Sequence, residues 1–198
     1  GTFSEEAAEK LLGENCETVS RPTFEELFAA IDEKRADFIL APFENSLVGT
    51  VHRCQDLLLE KKSLSIVAEI ILPISHYLIG CAGASLDSIE TIESHPVALS
   101  QCERFFAAHP QIKRAATNDT AGSVRRVVEN GDPSRAAIAG RRAAEIHGGI
   151  ILREHLEDHA DNYTRFVLLA QNGERAAQKG GKISLVVRLA HRPGALHE

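Results

Sequence analysis

A group of polar residues at the entrance to an apolar run is the first candidate for chemistry in this sequence. Asn162, Tyr163, Thr164 and Arg165 come directly before Phe166 and the apolar residues that follow it. The apolar run is typical of a buried strand. A strand end supports polar side chains rigidly, and α/β proteins place binding and catalytic groups there. The same residues are also compatible with a polar turn that enters a strand.

A second polar group, Glu44, Asn45 and Ser46, follows the strand predicted at 37–42. An acid beside an amide and a hydroxyl can position a small polar ligand. Glu44 is a candidate proton donor if burial keeps it protonated. An exposed, ionised Glu44 is the alternative interpretation.

Three predicted helix starts form a third set of candidates. The unpaired N–H groups and the dipole of a helix favour a carboxylate or a phosphate at its start. Ser4 is the expected N-cap of the first helix, and Pro96 is expected at the first position of another. Each start is also compatible with an ordinary structural cap. The candidate ligand-binding residues are Thr2 and Ser4 at the first start, Ser94 and His95 at the second with Gln101 more than one turn further along, and Asn118, Thr120 and Ala121 at the third.

The composition is that of a soluble globular protein. The chain has 198 residues, of which 43% are hydrophobic and 25% are charged. No apolar run approaches the roughly 20 residues that a membrane-spanning helix needs. The net charge of −6 argues against a nucleic-acid-binding protein. Because this charge does not attract anions from a distance, any anion site has to be a local feature.

The cysteines and histidines do not form a metal-binding pattern. Cys16, Cys54, Cys81 and Cys102 show no CxxC spacing and stand beside apolar residues. The nine histidines show neither HExxH nor HxH spacing. We therefore expect reduced, buried cysteines in a cytoplasmic protein that holds no metal.

Strands and helices alternate along the chain, which predicts an α/β protein. In the first part of the chain, this alternation indicates a mixed or mostly parallel sheet with helices on both faces. A single helix is predicted at 96–108, and two strand segments are expected to meet near Pro73. The predicted strands lie at 17–20, 37–42, 66–79, 91–93, 114–116, 136–139, 150–152 and 166–169.

The chain is expected to cross from one lobe to another and to return. Residues 1–73 together with 159–171 form the predicted first α/β lobe, and residues 74–158 form the second. A polar segment with several glycines at 172–181 is predicted to be a linker. Residues 182–198 indicate the first strand and loop of a separate small domain. We expect the sequence to be a piece of a longer chain, trimmed at both ends.

Taken together, these motifs resemble the prephenate dehydratase family. The resemblance runs in order from Gly1 to about Gln171. The tail from Lys182 resembles the start of an ACT domain, which in this family binds phenylalanine as a feedback inhibitor. The motifs that carry the resemblance are Gly1-Thr2-Phe3-Ser4, Glu44-Asn45-Ser46 with Gly49, Ser94-His95-Pro96 with Ala98-Leu99 and Gln101-Cys102, Asn118-Asp119-Thr120-Ala121-Gly122, Asn162-Tyr163-Thr164-Arg165-Phe166 and, in the tail, Pro193-Gly194-Ala195-Leu196.

The resemblance implies two α/β lobes like those of a type II periplasmic-binding-protein fold, with the active site in the cleft between them. It implies a lyase that converts prephenate to phenylpyruvate in phenylalanine biosynthesis without a cofactor. It also implies a cytoplasmic homodimer or homotetramer, inhibited by L-phenylalanine through Gly194, Ala195 and Leu196. The family usually has a strand and a Gly-Pro-x-Gly turn before the position of Thr2.

The resemblance assigns the role of catalytic donor to Thr164, facing the hydroxyl group that leaves. A threonine hydroxyl is only weakly acidic, so Arg165 or backbone dipoles are expected to polarise it, and Glu44 is the alternative acid. The helix starts at Ser94 and Thr120 are expected to hold the substrate carboxylates. Two other functions stay open: an arogenate dehydratase, and a two-lobed protein that binds a small anion without turnover.

Overall fold

The structure is a computed structural model in which two sheets, each covered by helices, form two lobes. It describes residues 1–13, 15–171, 182, 184–187 and 192. The predicted two-lobed α/β class is confirmed. The predicted linker at 172–181 lies outside the described residues, as does most of the tail. None of the helices in the described ranges is long and apolar enough to cross a membrane.

The helices and strands are named in chain order. The helices are α1 (Phe3–Leu12), α2 (Phe24–Asp32), α3 (His52–Glu60), α4 (Pro96–Ser100), α5 (Glu103–Ala108), α6 (Thr120–Asn130) and α7 (Arg141–His147), with a 3₁₀ turn at Leu86–Ser88. The strands are β1 (Ile39–Asn45), β2 (Gly49–Thr50), β3 (Leu64–Pro73), β4 (Tyr77–Gly80), β5 (Thr91–Ser94), β6 (Lys113–Ala116), β7 (Arg135–Ala139), β8 (Ile150–Arg153) and β9 (Tyr163–Gln171).

The first sheet has the strand order β2-β1-β9-β3, and every neighbouring pair is antiparallel. The prediction of a mixed or mostly parallel sheet is therefore wrong for the described part of this lobe. The reason is β9, which returns from the second lobe and runs between β1 and β3 in the opposite direction. The prediction of a strand at 17–20 is also wrong, because these residues are exposed and burial does not stabilise a strand there.

Strand β9 is the centre of the first lobe. Val167 and Leu169 pack with Phe28 of α2 on one face of the sheet, and Phe166 packs with Ala7 of α1 on the other. Burial on both faces explains why β9 has a continuous apolar run instead of an alternating pattern. Each such side chain contributes about 1.5–3 kcal/mol through the apolar surface that it removes from water.

The second sheet has the strand order β6-β5-β7-β4-β8. Strands β6, β5 and β7 are parallel, while β4 pairs antiparallel with β7 and β8. On one face, Leu99 of α4 and Phe106 of α5 pack with Ile92, and on the other face Val124 of α6 packs with Ala137. Because the parallel strands end at one edge of the sheet, α4, α6 and α7 all start at that edge.

The helix predicted at 96–108 is two helices, α4 and α5, with Gln101 at the break between them. The carboxylate of Asp158 accepts hydrogen bonds from the N–H groups of Glu103 (2.7 Å) and Arg104 (2.9 Å). The carboxylate thus satisfies the first N–H groups of α5, which a continuous helix would bond internally. The break places Gln101 beside the segments that connect the lobes.

Thr2, and not Ser4, is the N-cap of α1. The Oγ1 of Thr2 accepts a hydrogen bond from the N–H of Glu5 (3.2 Å). The expectation for Ser4 is wrong because α1 already starts at Phe3, so that Ser4 lies within the first helical turn.

The four cysteine thiols are free, and all except Cys16 are buried. Burial raises the pKa of Cys54 to about 12 and also raises the pKa of Cys102. Because the thiolate is the reactive form, we expect a thiol reagent at mildly alkaline pH to label Cys16 quickly and the other cysteines only after unfolding. Counting labelled thiols before and after denaturation checks this, with Cys16→Ser as the control. Rapid labelling of Cys54 in the folded protein would contradict it.

Candidate active site

Two chain segments run side by side where the chain passes between the two sheets. Residues 74–76 lead from β3 to β4, and residues 154–162 lead from β8 to β9. A backbone hydrogen bond of 2.8 Å joins the N–H of Ile74 to the oxygen of Asn162. We call this pair of segments the crossing.

A buried carboxylate holds the crossing together. Glu157 accepts hydrogen bonds from the backbone N–H of His76 (2.7 Å) and from the Oγ of Ser75 (2.9 Å). Burial alone would raise the pKa of Glu157, but these hydrogen bonds outweigh burial and hold its pKa below the ordinary value. The group is therefore ionised at neutral pH and keeps the two segments in register.

Asn45, at the end of β1, donates hydrogen bonds to the neighbouring segment of the chain. Its Nδ2 lies 2.9 Å from Thr164 Oγ1 and 2.9 Å from Asn162 Oδ1. Its Oδ1 accepts from the backbone N–H groups of Leu47 (3.0 Å) and Val48 (2.9 Å). Because a backbone N–H can only donate, the amide oxygen must face the turn and the amide nitrogen must face Thr164.

The hydrogen bonds continue from Asn162 into the second lobe. The Nδ2 of Asn162 donates to the Oε1 of Gln101 (3.0 Å), and the Nε2 of His76 lies 2.7 Å from the same oxygen. Asn162 is fully buried. Hydrogen bonds thus connect β1, β9, the crossing and the break between α4 and α5. We call Thr164, Asn45, Asn162, Gln101 and His76 the hinge network.

Thr164 keeps a proton that it can donate. The residue is 9% exposed and lies opposite Asn45 of β1 and Leu72 of β3. Its Oγ1 accepts from Asn45, and no side chain or backbone group in the described ranges accepts its hydroxyl proton. Accepting a hydrogen bond makes a hydroxyl group a better donor. The hinge network therefore presents a polarised O–H donor at the start of β9.

Ser46 holds the entrance to β9 in place. Its Oγ donates to the backbone oxygen of Asp161 (2.7 Å) and accepts from the N–H of Tyr163 (2.9 Å). Its backbone N–H also donates to the oxygen of Tyr163 (2.9 Å). These bonds hold the backbone on both sides of Asn162, which lies between the two bonded residues.

Arg165 and Glu44 lie on the opposite face of the sheet from Thr164. Successive side chains of a strand point to opposite faces, and Arg165 pairs across the sheet with Glu44. The guanidinium of Arg165 lies 2.8 Å from the carboxylate of Glu69 and 3.7 Å from that of Glu44. The expectation that Arg165 polarises Thr164 is therefore wrong. The side chain of Glu44 is 55% exposed, so it lacks the burial on which its expected role as an acid depends.

The start of α1 reaches the second lobe. The ring of Phe3 packs edge-on against the ring of His76, with the centroids 6.0 Å apart. Gly140, which precedes α7, allows this approach, because a Cβ at that position would lie 3.0 Å from the Phe3 ring. The candidates Thr2 and Ser4, on either side of Phe3, therefore lie near the boundary between the lobes.

The start of α4 is bonded within the protein. Ser94 is buried, and its Oγ donates to the backbone oxygen of Ile138 (2.6 Å). His95 is the N-cap of α4, with its Nδ1 accepting from the N–H of Val97 (3.2 Å). Because its hydroxyl proton is used inside the sheet, Ser94 does not offer that proton to a ligand, and the carboxylate site at this helix start stays a prediction.

The start of α6 carries a carboxylate of its own. Asp119 is the N-cap and accepts from the N–H of Gly122. A second carboxylate at Thr120 would meet the negative charge of Asp119, which argues against an anion at this helix start, and the site there stays a prediction. Asn118 is exposed, and Ala121 is buried in the core of the second lobe.

Four predicted residues come together in the hinge network: Thr164, Asn45, Asn162 and Gln101. The fifth member, His76, is a residue that the sequence analysis did not indicate. The only sequence signal is a histidine inside the apolar stretch that joins two predicted strands. Within the part of the chain that the structure describes, His, Cys, Asp and Glu side chains form no group that could hold a metal ion.

These features define the class of the molecule: a two-lobed α/β protein with a polar network at the crossing between its lobes. The sequence pattern of the family described as prephenate dehydratase matches residues 1–174. The chain belongs to the prephenate dehydratase family.

Curated relatives and a solved structure show how far the similarity extends. The bifunctional chorismate mutase/prephenate dehydratase of Neisseria gonorrhoeae (strain ATCC 700825 / FA 1090) is 37% identical over 197 residues, or 99% of this chain and 54% of that protein. The chloroplastic arogenate dehydratase/prephenate dehydratase 1 of Arabidopsis thaliana is 39% identical over 197 residues, or 99% and 50%. The chain thus spans about half the length of these relatives. The crystal structure of prephenate dehydratase from Arthrobacter aurescens in complex with L-Phe has a TM-score of 0.83 and 27% identity, covering 100% of this chain and 67% of that chain.

Replacement of Asn45 by aspartate tests the direction of the hinge network. Asn45→Asp keeps the oxygen that faces the turn but puts a second oxygen against the side-chain oxygen of Asn162 and the backbone oxygen of Tyr163, which can only accept. We expect the free energy of unfolding to fall by about 1–3 kcal/mol, because the half-buried donor is replaced by an acceptor while its partner Asn162 is fully buried. Urea denaturation measures this, with Asn15→Asp at an exposed position as the control. Equal stability of Asn45→Asp and the wild type would contradict the assigned direction.

Proposed function

We propose that the chain is a prephenate dehydratase that converts prephenate to phenylpyruvate, carbon dioxide and water in phenylalanine biosynthesis. Membership of the family supports the class of reaction. The observation that carries the proposal is the Thr164 hydroxyl, which accepts from Asn45 and has a proton left for a ligand. Because the chain spans about half of its curated relatives, the proposal concerns the dehydratase reaction alone.

The chemistry requires a donor at one atom of the substrate. Prephenate has two carboxylates and a ring hydroxyl. When the bond to the ring carboxylate breaks, carbon dioxide leaves and the electron pair moves into the ring. The carbon–oxygen bond on the opposite side of the ring then breaks, and the departing hydroxide takes up one proton from the solvent to leave as water. The protein has to stabilise negative charge on that oxygen as it develops.

We assign the donor role to Thr164 and not to Glu44. A threonine hydroxyl is too weakly acidic to give up its proton fully, but its hydrogen bond stabilises the departing hydroxide. Glu44 is exposed and lies on the other face of the sheet, which argues against it as the acid. Since the product ring is aromatic, correct positioning supplies much of the remaining acceleration.

The groups that hold the two carboxylates are also part of the proposal. Gln101 is the favoured ligand, since its Oε1 is bonded internally and its Nε2 meets no acceptor in the described ranges. Thr2 and Ser4 remain proposed ligands because α1 starts at the boundary between the lobes. For His95 and Asn118, the support is limited to their place at the edge where the parallel strands end.

Arogenate dehydratase is the alternative enzymatic function, and the name of the Arabidopsis relative includes both activities. The two substrates differ in an amino group in place of a keto group. A two-lobed protein that binds a small anion without turnover is the non-enzymatic alternative.

Incubation of the protein with prephenate and, separately, with arogenate at neutral pH tests the proposal. We expect phenylpyruvate from prephenate at a rate far above that of a control without protein, which is essential because prephenate aromatises spontaneously in acid. Phenylalanine from arogenate alone would favour the arogenate dehydratase. Binding of either compound without turnover would favour the binding protein and overturn the proposal.

Substitutions of Thr164 test the donor role. We expect Thr164→Ala to lower kcat at least ~10²-fold, since it removes the proposed donor to the departing hydroxide. Thr164→Ser keeps the hydroxyl and should retain much more activity. Steady-state kinetics and urea denaturation of both variants give the comparison. If both variants are equally inactive while folded, then packing of the threonine methyl group against Leu72 is the important feature and the donor role fails.

Regulation, assembly and location are proposals from the family resemblance. The Arthrobacter aurescens structure contains L-Phe, which supports phenylalanine as an inhibitor of this protein. The residues expected to bind it, Gly194, Ala195 and Leu196, lie outside the described residues, as does most of the proposed ACT segment at 182–198. We also propose a homodimer or homotetramer in the cytoplasm.

A further inference from the structure

His76 is a buried histidine held by both segments of the crossing. The residue lies in the chain segment that joins β3 to β4, and it is 2% exposed. Its backbone N–H donates to Glu157 (2.7 Å), and its backbone oxygen accepts from the N–H of Leu156 (2.9 Å). The ring packs edge-on against Phe3. The position of the ring is therefore set by two segments of the chain and by α1.

The hinge network determines which nitrogen of His76 carries the proton. Because Asn45 presents its Nδ2 to Asn162, Asn162 must present its oxygen to Asn45 and its own Nδ2 to Gln101. The atom of Gln101 that receives this bond is then the oxygen Oε1. The Nε2 of His76 lies 2.7 Å from that oxygen, so it must carry a proton to bond there.

The other nitrogen of His76, Nδ1, has no hydrogen-bond partner among the described residues. Nδ1 is buried, and no group in the described ranges forms a hydrogen bond with it. Burial lowers the pKa of His76, which favours the neutral ring. An apolar side chain would fill this place without an unpartnered nitrogen, so a buried nitrogen of this kind calls for an explanation. The geometry offers an explanation: a histidine is needed here because its Nε2 donates a hydrogen bond to Gln101.

Gln101 has a fixed amide direction as a result. Its Oε1 receives two donors, one from Asn162 and one from His76. A flip of the amide would put its NH₂ group against both of them, so the flipped state is excluded. The Nε2 of Gln101 therefore points away from the crossing with two protons to donate. The hinge network thus has two groups with protons available to a ligand, the O–H of Thr164 and the NH₂ of Gln101.

We propose that His76 is a positioning residue, which holds Gln101 so that its NH₂ group and the Thr164 hydroxyl both face the substrate as donors. The proposal rests on the function proposed above. The role of His76 is mechanical: its Nε2–H selects one of two amide orientations of Gln101, and it exchanges no proton with the substrate.

A matched pair of substitutions tests the role of Nε2. His76→Leu fills the volume but removes the donor, while His76→Gln places an amide nitrogen near the position of the imidazole Nε2. We expect His76→Leu to lower kcat/KM for prephenate roughly 10- to 100-fold, the size of loss that misplacement of a substrate-positioning group causes. His76→Gln should stay within a few-fold of the wild type. His52→Leu, at an exposed position at the start of α3, is the control and should be unchanged.

Nuclear magnetic resonance gives readouts that do not depend on activity. In wild-type protein with ¹⁵N-labelled histidine, we expect the His76 ring to be protonated at Nε2 and unprotonated at Nδ1. The side-chain NH₂ signals of Gln101, assigned with a Gln101→Ala variant, should be sharp in the wild type and in His76→Gln, and shifted or broadened in His76→Leu. A proton on Nδ1 instead of Nε2 would overturn the proposal, as would unchanged kcat/KM in a folded His76→Leu protein.

The measurements separate the two proposals. If His76→Leu does not fold, then His76→Gln and the wild-type ring spectrum decide the role of His76. If the wild type converts neither prephenate nor arogenate, the proposed function is overturned, and the spectra still decide whether His76 orients Gln101.

Discussion

The two hydrogen bonds from the backbone N–H groups of Leu47 and Val48 to the Oδ1 of Asn45 are the constraint on which the site depends. An amide group can be turned in either of two directions, and these bonds select one of them. The direction of the Asn45 amide determines the direction of the Asn162 amide, which in turn determines that of Gln101. It makes Thr164 an acceptor inside the network and so leaves its proton to be donated outward. Two N–H groups of the turn after β1 thus determine the chemistry of a strand more than one hundred residues later.

The crossing explains how this network can join the two lobes. Glu157 bonds the first segment, and its neighbour Asp158 bonds the start of α5. These two adjacent carboxylates therefore hold both the register of the crossing and the helix break that exposes Gln101. A buried polar network is stable only when its members are satisfied, and rigid support on both sides keeps the hydrogen bonds intact. The same two carboxylates therefore stabilise the fold and position the site.

Neutral donors dominate the site at Thr164. The nearest cation in sequence, Arg165, is engaged by Glu69 and Glu44 on the other face of the sheet. The hinge network consists of amides, a hydroxyl and a histidine whose pKa is lowered by burial. Oriented dipoles of this kind stabilise a charge that develops during a reaction without being rearranged at that moment. This property suits the departure of hydroxide in the proposed reaction.

The sequence by itself determined the class of fold, the position of β9 and four of the five members of the hinge network. Apolar runs, helix caps and the polar groups beside them depend on residues that are close together in the sequence, so the sequence pattern predicts them. The tertiary structure alone decided the antiparallel order of the first sheet and the break at Gln101, because both depend on segments distant in the chain. It also decided that Ser94 and Asp119 are bonded internally, and that Arg165 faces away from Thr164. The role of His76 could be inferred only from the tertiary structure, because it depends on a contact with Gln101, which is distant in the sequence.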